Sequence, residues 1–232
     1  MSRTFAAALL VAAAACLYQA AARANGSTVP PSPSASPLPA RDMTPEDLAV
    51  HAYNTGLDRR DRGMKAEQKA LAARKDSDRL KEQKKAREEY ERALKEFRKA
   101  ADYNPKLPQA WNGMGFATRK LGDYQKALDY YDRALQLAPN FPDAIEYRAE
   151  AYLALNRIDD AKQAYLALFA MDRKQADQLM EAMKDWVAQR RGDPAGVDPA
   201  ALSAFETWLE ERAGVARETR LMALDQRHMT WR

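Results

Sequence analysis

The strongest constraint on this chain is a spacing of 34 residues that recurs along its middle part. Small, aromatic and proline residues return at that interval, as Ala93, Phe97, Ala100 and Pro105, then Ala127, Tyr131, Ala134 and Pro139, then Ala161 and Tyr165. A fixed period of this length is typical of stacked helical hairpins, because one hairpin cannot bury its apolar face without a neighbour. The spacing therefore predicts a repeat protein built from helices.

The most regular repeat runs from residue 108 to residue 141. The residues that carry its pattern are Trp111, Gly115, Ala127, Tyr131, Ala134 and Pro139. In their spacing the segment resembles a tetratricopeptide repeat, and weaker matches extend the resemblance over residues 43–175. The resemblance implies an all-α fold, a right-handed superhelical array of about three helix-turn-helix hairpins followed by C-terminal capping helices.

The first hairpin is longer than the regular one. Gly115 precedes its partner Ala127 by 12 residues, whereas Gly56 precedes Ala93 by 37 residues. The excess of 25 residues lies within residues 64–92, which are mainly helix formers. Both helices of this hairpin are therefore expected to extend by about three turns, giving an arm that projects roughly 18 Å at 1.5 Å per residue.

Three local features are expected in the arm. Gly63 is a candidate break or kink at its base, and Asp76-Ser77-Asp78 is its turn signal. Met64, Leu71 and Leu80, with scattered alanines, are expected to form a narrow apolar seam between its helices. Its ten basic and seven acidic residues fit either a solvated surface or a docking element for an acidic partner or anionic head groups.

Capping signals mark both ends of the folded part. Thr44-Pro45-Glu46-Asp47 has the pattern of a capping box with proline at the first helical position. Residues 176–232 are expected to form capping helices or a degenerate fourth hairpin with a break at Gly192-Asp193-Pro194, and residues 222–232 are a candidate final helix. The apolar residues expected to pack these helices on the array are Leu179, Met180, Met183, Trp186, Val187, Leu202, Phe205, Trp208 and Leu209.

The first 24 residues have the organisation of a signal peptide. Arg3 precedes an apolar run over residues 5–15, and Ala22-Arg23-Ala24 has the small residues of a cleavage site. Cleavage there predicts an exported protein of the bacterial periplasm that begins at Asn25 and has no cysteine. Residues 25–42 are rich in proline and serine, which predicts an extended, disordered tether.

Cys16, the only cysteine, leaves a second interpretation open. Ala13-Ala14-Ala15-Cys16 resembles the lipobox of bacterial lipoproteins, in which the cysteine becomes the lipidated first residue. Ala13 stands where that family usually has leucine. This interpretation implies a chain anchored in the cell envelope, and a lipid at Cys16 is then its membrane attachment.

Signals of catalysis and of bound cofactors are lacking. His51 and His228 lie far apart without a ligand-spaced neighbour, so no metal site is expected. There is no phosphate-binding glycine loop and no nucleophile motif, since Gly113-Met114-Gly115 lies inside a repeat helix. A net charge of +4 with interspersed signs gives no support to nucleic-acid binding. We therefore expect a non-catalytic protein without a cofactor.

The family resemblance implies that a partner protein, as a peptide or a helix, binds in a concave groove lined by the first helix of each hairpin. The family register assigns this role to Asn54, Leu57, Arg60, Gln109, Asn112, Phe116, Arg119, Tyr147 and Glu150. One subset of the family clamps chaperone carboxylates, but its five clamp positions hold Tyr53, Leu57, Gly113, Asp143 and Tyr147, none of which matches. Two functions stay open: a periplasmic scaffold, and a membrane-tethered assembly factor for an envelope or pilus complex.

Overall fold

The computed structural model describes residues 43–229, which form eight α-helices with no β-strand among them. The helices are α1 (Pro45–Ala72), α2 (Asp76–Tyr103), α3 (Pro108–Lys120), α4 (Tyr124–Leu137), α5 (Pro142–Ala154), α6 (Ile158–Met171), α7 (Arg173–Gly192) and α8 (Pro199–Met229). Consecutive helices pack in pairs, which confirms the predicted all-α fold of helical hairpins. The predicted signal peptide, the tether and Cys16 lie outside the described residues.

The described helices divide into two compact units, α1 to α4 and α5 to α8. The division falls between Phe141 and Pro142, where the second predicted hairpin ends and the third begins. Within residues 43–229, no helix combines the length and the apolar character needed to cross a membrane.

The first hairpin is the long one, as the interval of 37 residues from Gly56 to Ala93 predicts. α1 and α2 have 28 residues each, against 13 in α3 and 14 in α4. α1 begins with the predicted capping box, in which the Asp47 N–H donates to Thr44 Oγ1 at 3.1 Å and the Thr44 N–H donates to Asp47 Oδ2 at 3.1 Å. Hydrogen bonds from Thr44 to the charged carboxylate lower the pKa of Asp47.

Two local predictions about this hairpin, a break at Gly63 and a turn at Asp76-Ser77-Asp78, are wrong. α1 runs without a break through Gly63, where an added Cβ would lie 2.6 Å from a ring carbon of Tyr90. Glycine is needed there because it lets the ring lie directly against the backbone of α1. The turn is at residues 73–75, and Asp76 and Asp78 stand instead in the first turn of α2, where negative charge suits the helix dipole.

The seam of the arm is made of small residues, not of the large apolar residues that the sequence suggested. Ala66, Ala70 and Ala86 are buried on α1 and α2, whereas Leu71 is 52% exposed and Leu80 is 64% exposed. Met64 is also exposed, and it shares a helix face with Leu71 because the two are seven residues apart.

In the first unit, the two hairpins pack around an aromatic ring held between two glycines. Phe97 of α2 is fully buried, and a Cβ added at Gly56 of α1 or at Gly113 of α3 would lie 2.6 or 2.7 Å from its ring. Gly115 has the same relation to Tyr131 of α4, at 2.5 Å. Real Cβ atoms do not approach rings this closely, so these positions require glycine.

The 34-residue period extends to the turns inside the hairpins. Gly122, between α3 and α4, has a φ of 92°, and Asn156, between α5 and α6, has a φ of 59°. These two residues are one period apart, and both adopt the left-handed conformation that glycine enters freely and asparagine tolerates. The third repeat therefore keeps the turn geometry of the second although its sequence is less regular.

In the second unit, α7 and α8 pack on the hairpin of α5 and α6, as expected of capping helices. α7 contacts both α5 and α6, and Trp208 of α8 lies edge-on to Tyr165 of α6 with ring centres 5.5 Å apart. Seven of the nine apolar residues predicted to pack this region are buried, and Leu202 and Trp208 are half-buried. The amphipathic pattern of these helices is thus confirmed.

The boundaries of these last helices agree in part with the sequence. α7 begins at Arg173, two residues before the predicted end of the array at residue 175, and it ends at the predicted break, at Gly192. Asp172 caps α7 by accepting a hydrogen bond from the Gln175 N–H at 3.0 Å. A separate helix from residue 222 is wrong for the described residues, because α8 continues to Met229.

Candidate interaction surface

The predicted groove residues of the first unit lie on α1 and α3, the first helices of its two hairpins. These helices contact each other directly, and their side chains meet at Phe116. The Cζ atom of Arg60, on α1, lies 5.9 Å from the centre of the Phe116 ring, and the Cζ atom of Arg119 lies 5.4 Å from it. The structure therefore brings three of the predicted residues together.

Phe116 belongs to the core of this unit. Only 5% of the residue is exposed, and its ring meets the ring of Tyr90 edge-on, with centres 6.1 Å apart and an angle of 69° between the planes. Tyr90 is a residue of the predicted arm, so the extension of the first hairpin supplies the ring that packs on Phe116. Because Phe116 is buried against Tyr90, the expectation that it is displayed in an open groove does not hold.

Lys120 connects α3 to the arm across the same rings. Its Nζ atom lies 5.9 Å from the centres of both the Phe116 and the Tyr90 rings, and it donates a hydrogen bond to Glu67 Oε2 at 2.7 Å. Both side chains of this ion pair are largely removed from water, which strengthens their attraction compared with a surface pair. Burial and the neighbouring Glu67 carboxylate raise the pKa of Tyr90 above its usual value.

Asn112, one turn before Phe116 on α3, is covered as well. The residue is 8% exposed, and its side-chain oxygen is buried without a hydrogen-bond partner among the described residues. An unsatisfied buried acceptor costs about 1–3 kcal/mol. A hydrogen bond from Asn112 to a partner in the predicted groove therefore requires the amide to turn outward.

The other predicted residues are more accessible. Asn54 and Gln109 are exposed, and Leu57 is half-buried against the core that surrounds Phe97. Tyr147 and Glu150 are half-buried on α5, in the second unit. We use the name α1–α3 surface for the residues of α1 and α3 around this site, which are Asn54, Leu57, Arg60, Gln109, Arg119 and the paired Lys120.

Sequence reasoning missed Tyr90 and Glu67 as parts of this site. A signal for Tyr90 is present, because it stands seven residues before Phe97, just as Gly63 stands seven residues after Gly56. In two antiparallel helices such matched intervals fall on facing sides, so the second glycine predicts a second ring. Glu67 has no comparable signal, since its ion pair with Lys120 joins residues 53 apart in the chain.

Comparison with known proteins agrees with the geometry of the second hairpin. The family model described as tetratricopeptide repeat matches residues 108–141, the segment that contains α3 and α4. This segment is a tetratricopeptide repeat. Repeats of this kind generally bind other proteins or peptides, so the segment is a protein-interaction module.

Two curated proteins are similar to parts of the chain. Over 69 residues it is 33% identical to Protein FlbA of Caulobacter vibrioides, a match that covers 30% of this chain and 12% of that protein. Over 72 residues it is 29% identical to Uncharacterized protein MJ0572 of Methanocaldococcus jannaschii, which covers 31% of this chain and 84% of that protein. Both similarities are therefore confined to about a third of the chain.

The part of the chain that the structure describes contains no candidate metal site. Among residues 43–229, no group of three histidine, cysteine, aspartate or glutamate side chains lies close enough together to hold a metal ion.

Proposed function

We propose that the α1–α3 surface binds a segment of a partner protein and that the protein acts as a non-catalytic scaffold. The observation that carries this proposal is the meeting of Arg60 and Arg119 over Phe116, because it joins the first helices of two successive hairpins into one surface. The match of a tetratricopeptide repeat to the second of these hairpins supports a protein as the partner.

The chemistry of this surface suits an interface. A guanidinium group is planar, stacks on aromatic rings and donates several hydrogen bonds, which is why arginine is enriched in protein interfaces. Arg60 and Arg119 already lie over a ring that is fixed in the core, so they lose less side-chain entropy when a partner binds. Carboxylate or carbonyl oxygens of the partner are the expected acceptors, and Leu57 offers apolar area beside them.

The proposal is tested by substituting both arginines, Arg60→Ala with Arg119→Ala, and by quantifying the proteins that co-purify with the chain from its native source. We expect occupancy of the specific partners to fall at least tenfold, about 1.4 kcal/mol, because both guanidinium contacts are lost. Thermal unfolding measured in parallel shows whether the variant retains its fold.

The matched control is Arg98→Ala with Lys126→Ala. These two residues are exposed on α2 and α4, so the change in net charge is the same but the α1–α3 surface is untouched. The control is expected to capture the same partners as the natural chain. If the folded arginine variant also captures them at unchanged occupancy, the α1–α3 surface is not the binding surface.

We further propose that the protein works outside the cytoplasm, in the periplasm. Arg3, the apolar run over residues 5–15 and Ala22-Arg23-Ala24 support export with cleavage. Intact-mass measurement on protein from its native source is expected to give a chain that begins at Asn25. A diacylated or triacylated Cys16 at the N-terminus would instead favour the membrane-tethered assembly factor.

A further inference from the structure

The end of the arm carries a positive charge equal to that of the whole chain. Residues 69–85, which we call the arm tip, contain seven basic and three acidic residues, a net charge of +4, and the chain as a whole also has +4. The remaining residues of the chain therefore have a net charge of zero. The basic residues of the arm tip are Lys69, Arg74, Lys75, Arg79, Lys81, Lys84 and Lys85. None of them lies further than ten residues from an end of the turn, or about 15 Å at 1.5 Å per residue.

Most of these cations have no counter-ion within the protein. Arg79 pairs with Asp76, but the other six are exposed and form no ion pair in the described part of the chain. The base of the arm is different, since the buried Glu89 carboxylate lies 3.3 Å from Arg59 and 2.7 Å from Arg92. The arm tip therefore carries six cations without a counter-ion in the described part of the chain, where an external anion can reach them.

Two large apolar side chains stand among these cations. Leu71 is one residue from the end of α1, Leu80 is four residues inside α2, and more than half of each residue is exposed. Exposed leucines flanked by lysines are typical of elements that contact a lipid surface. The apolar side chains enter the boundary between head groups and acyl chains, while the cations contact the phosphates.

The shape of the arm tip favours a membrane over a protein as the source of the anions. An end-on contact of the arm, made by two helices each about 10–12 Å wide, covers roughly 200–300 Å², whereas each partner in a stable protein interface buries about 800 Å². Binding to a bilayer does not require an interface of that area, because each cation attracts anionic head groups separately. We propose that the arm tip docks on membranes containing anionic phospholipids, a contact separate from the α1–α3 surface.

Vesicle sedimentation tests this proposal, using the chain without residues 1–24 so that the apolar leader cannot bind lipid. Vesicles of phosphatidylglycerol mixed with phosphatidylcholine are expected to bind the chain at about 0.1 M salt and to release most of it at about 1 M, where the Debye length falls from about 10 to 3 Å. Vesicles of phosphatidylcholine alone are expected not to bind. Lys81→Glu with Lys84→Glu and Lys85→Glu should lower the partition coefficient at least tenfold, and Leu71→Ser with Leu80→Ser should lower it several-fold.

The matched control is Arg98→Glu with Lys106→Glu and Lys126→Glu, three exposed cations of the first unit outside the arm tip. It changes the net charge by the same amount and is expected to bind nearly as well as the natural chain. Equal binding to neutral vesicles would overturn the proposal, as would an equal loss in the control variant. Binding to soluble poly-glutamate without binding to anionic vesicles would also overturn it and would indicate an acidic protein as the partner.

Discussion

The base and the end of the first hairpin use the same two helices but pack them with different side chains. At the base, Phe97 and Tyr90 fill the space opposite Gly56 and Gly63. Towards the end, the buried residues are the alanines at positions 66, 70 and 86. The difference follows from the number of helices present, because a third helix can cover a large ring whereas two helices alone bury only a narrow strip between them.

The ion pair between Lys120 and Glu67 lies at the boundary between the ring packing of the base and the alanine packing of the end. Lys120 is the last residue of α3, so α1 and α2 continue beyond Glu67 without a third helix of this unit beside them. Leu71 and Leu80 lie in that part, and both are exposed. The comparison teaches that, in this hairpin, the end of a neighbouring helix decides whether a large apolar residue becomes core or surface.

The largest effect is expected at the base, from Phe97→Ala. The ring is fully buried and lies against the backbone at Gly56 and Gly113, so its removal leaves a cavity between three helices. We expect a loss of about 3–5 kcal/mol in the free energy of unfolding, measured by urea denaturation. A loss below about 1 kcal/mol would contradict the packing described for the base.

Phe116→Ala tests where the ring packing of the base ends. Because Phe116 packs on Tyr90 under three cations, we expect a loss of about 3 kcal/mol in the free energy of unfolding, near the low end of the range for a buried phenylalanine. The loss in the free energy of unfolding is measured by urea denaturation. Unchanged stability with loss of partner capture would show that this ring is displayed to a partner after all.

Gly63→Ala probes the last glycine before the alanine seam. The added methyl group would meet the buried Tyr90 ring, so we expect destabilisation of about 1–2 kcal/mol despite the better helix propensity of alanine. Gly214→Ala in α8 is the matched control, since no atom other than those of its chain neighbours and its own helix backbone lies within 4 Å of its added Cβ, and it should be neutral or slightly stabilising. Both effects can be measured by thermal unfolding, and a stabilising Gly63→Ala would exclude the close approach.

The smallest effect is expected from replacing the arm tip, residues 69–85, with a short turn. Ala70 is the only buried residue in that segment, so the cost should stay below about 1 kcal/mol. Circular dichroism should show a cooperative transition with little change in midpoint. A loss comparable to that of Phe97→Ala would mean that the arm tip folds back onto the unit.

Much of the fold follows from short-range chemistry that the sequence displays directly. The period from Ala93 to Tyr165 predicts the hairpins, and the interval from Gly56 to Ala93 predicts the long first one. The capping box at Thr44 also forms as predicted, because both of its hydrogen bonds join residues three apart. These features depend on local spacing and on residue types with strong backbone preferences, so no tertiary information is needed to predict them.

For Phe116 and Leu71, exposure was decided by the tertiary structure. The sequence places Phe116 on a groove face and Leu71 in a seam, yet the first is buried and the second is exposed. Both outcomes depend on where α3 lies against α1 and α2, through contacts such as Tyr90 to Phe116 and Lys120 to Glu67. Helical periodicity assigns a residue to a face of its helix, but a neighbour distant in the chain determines whether that face is covered.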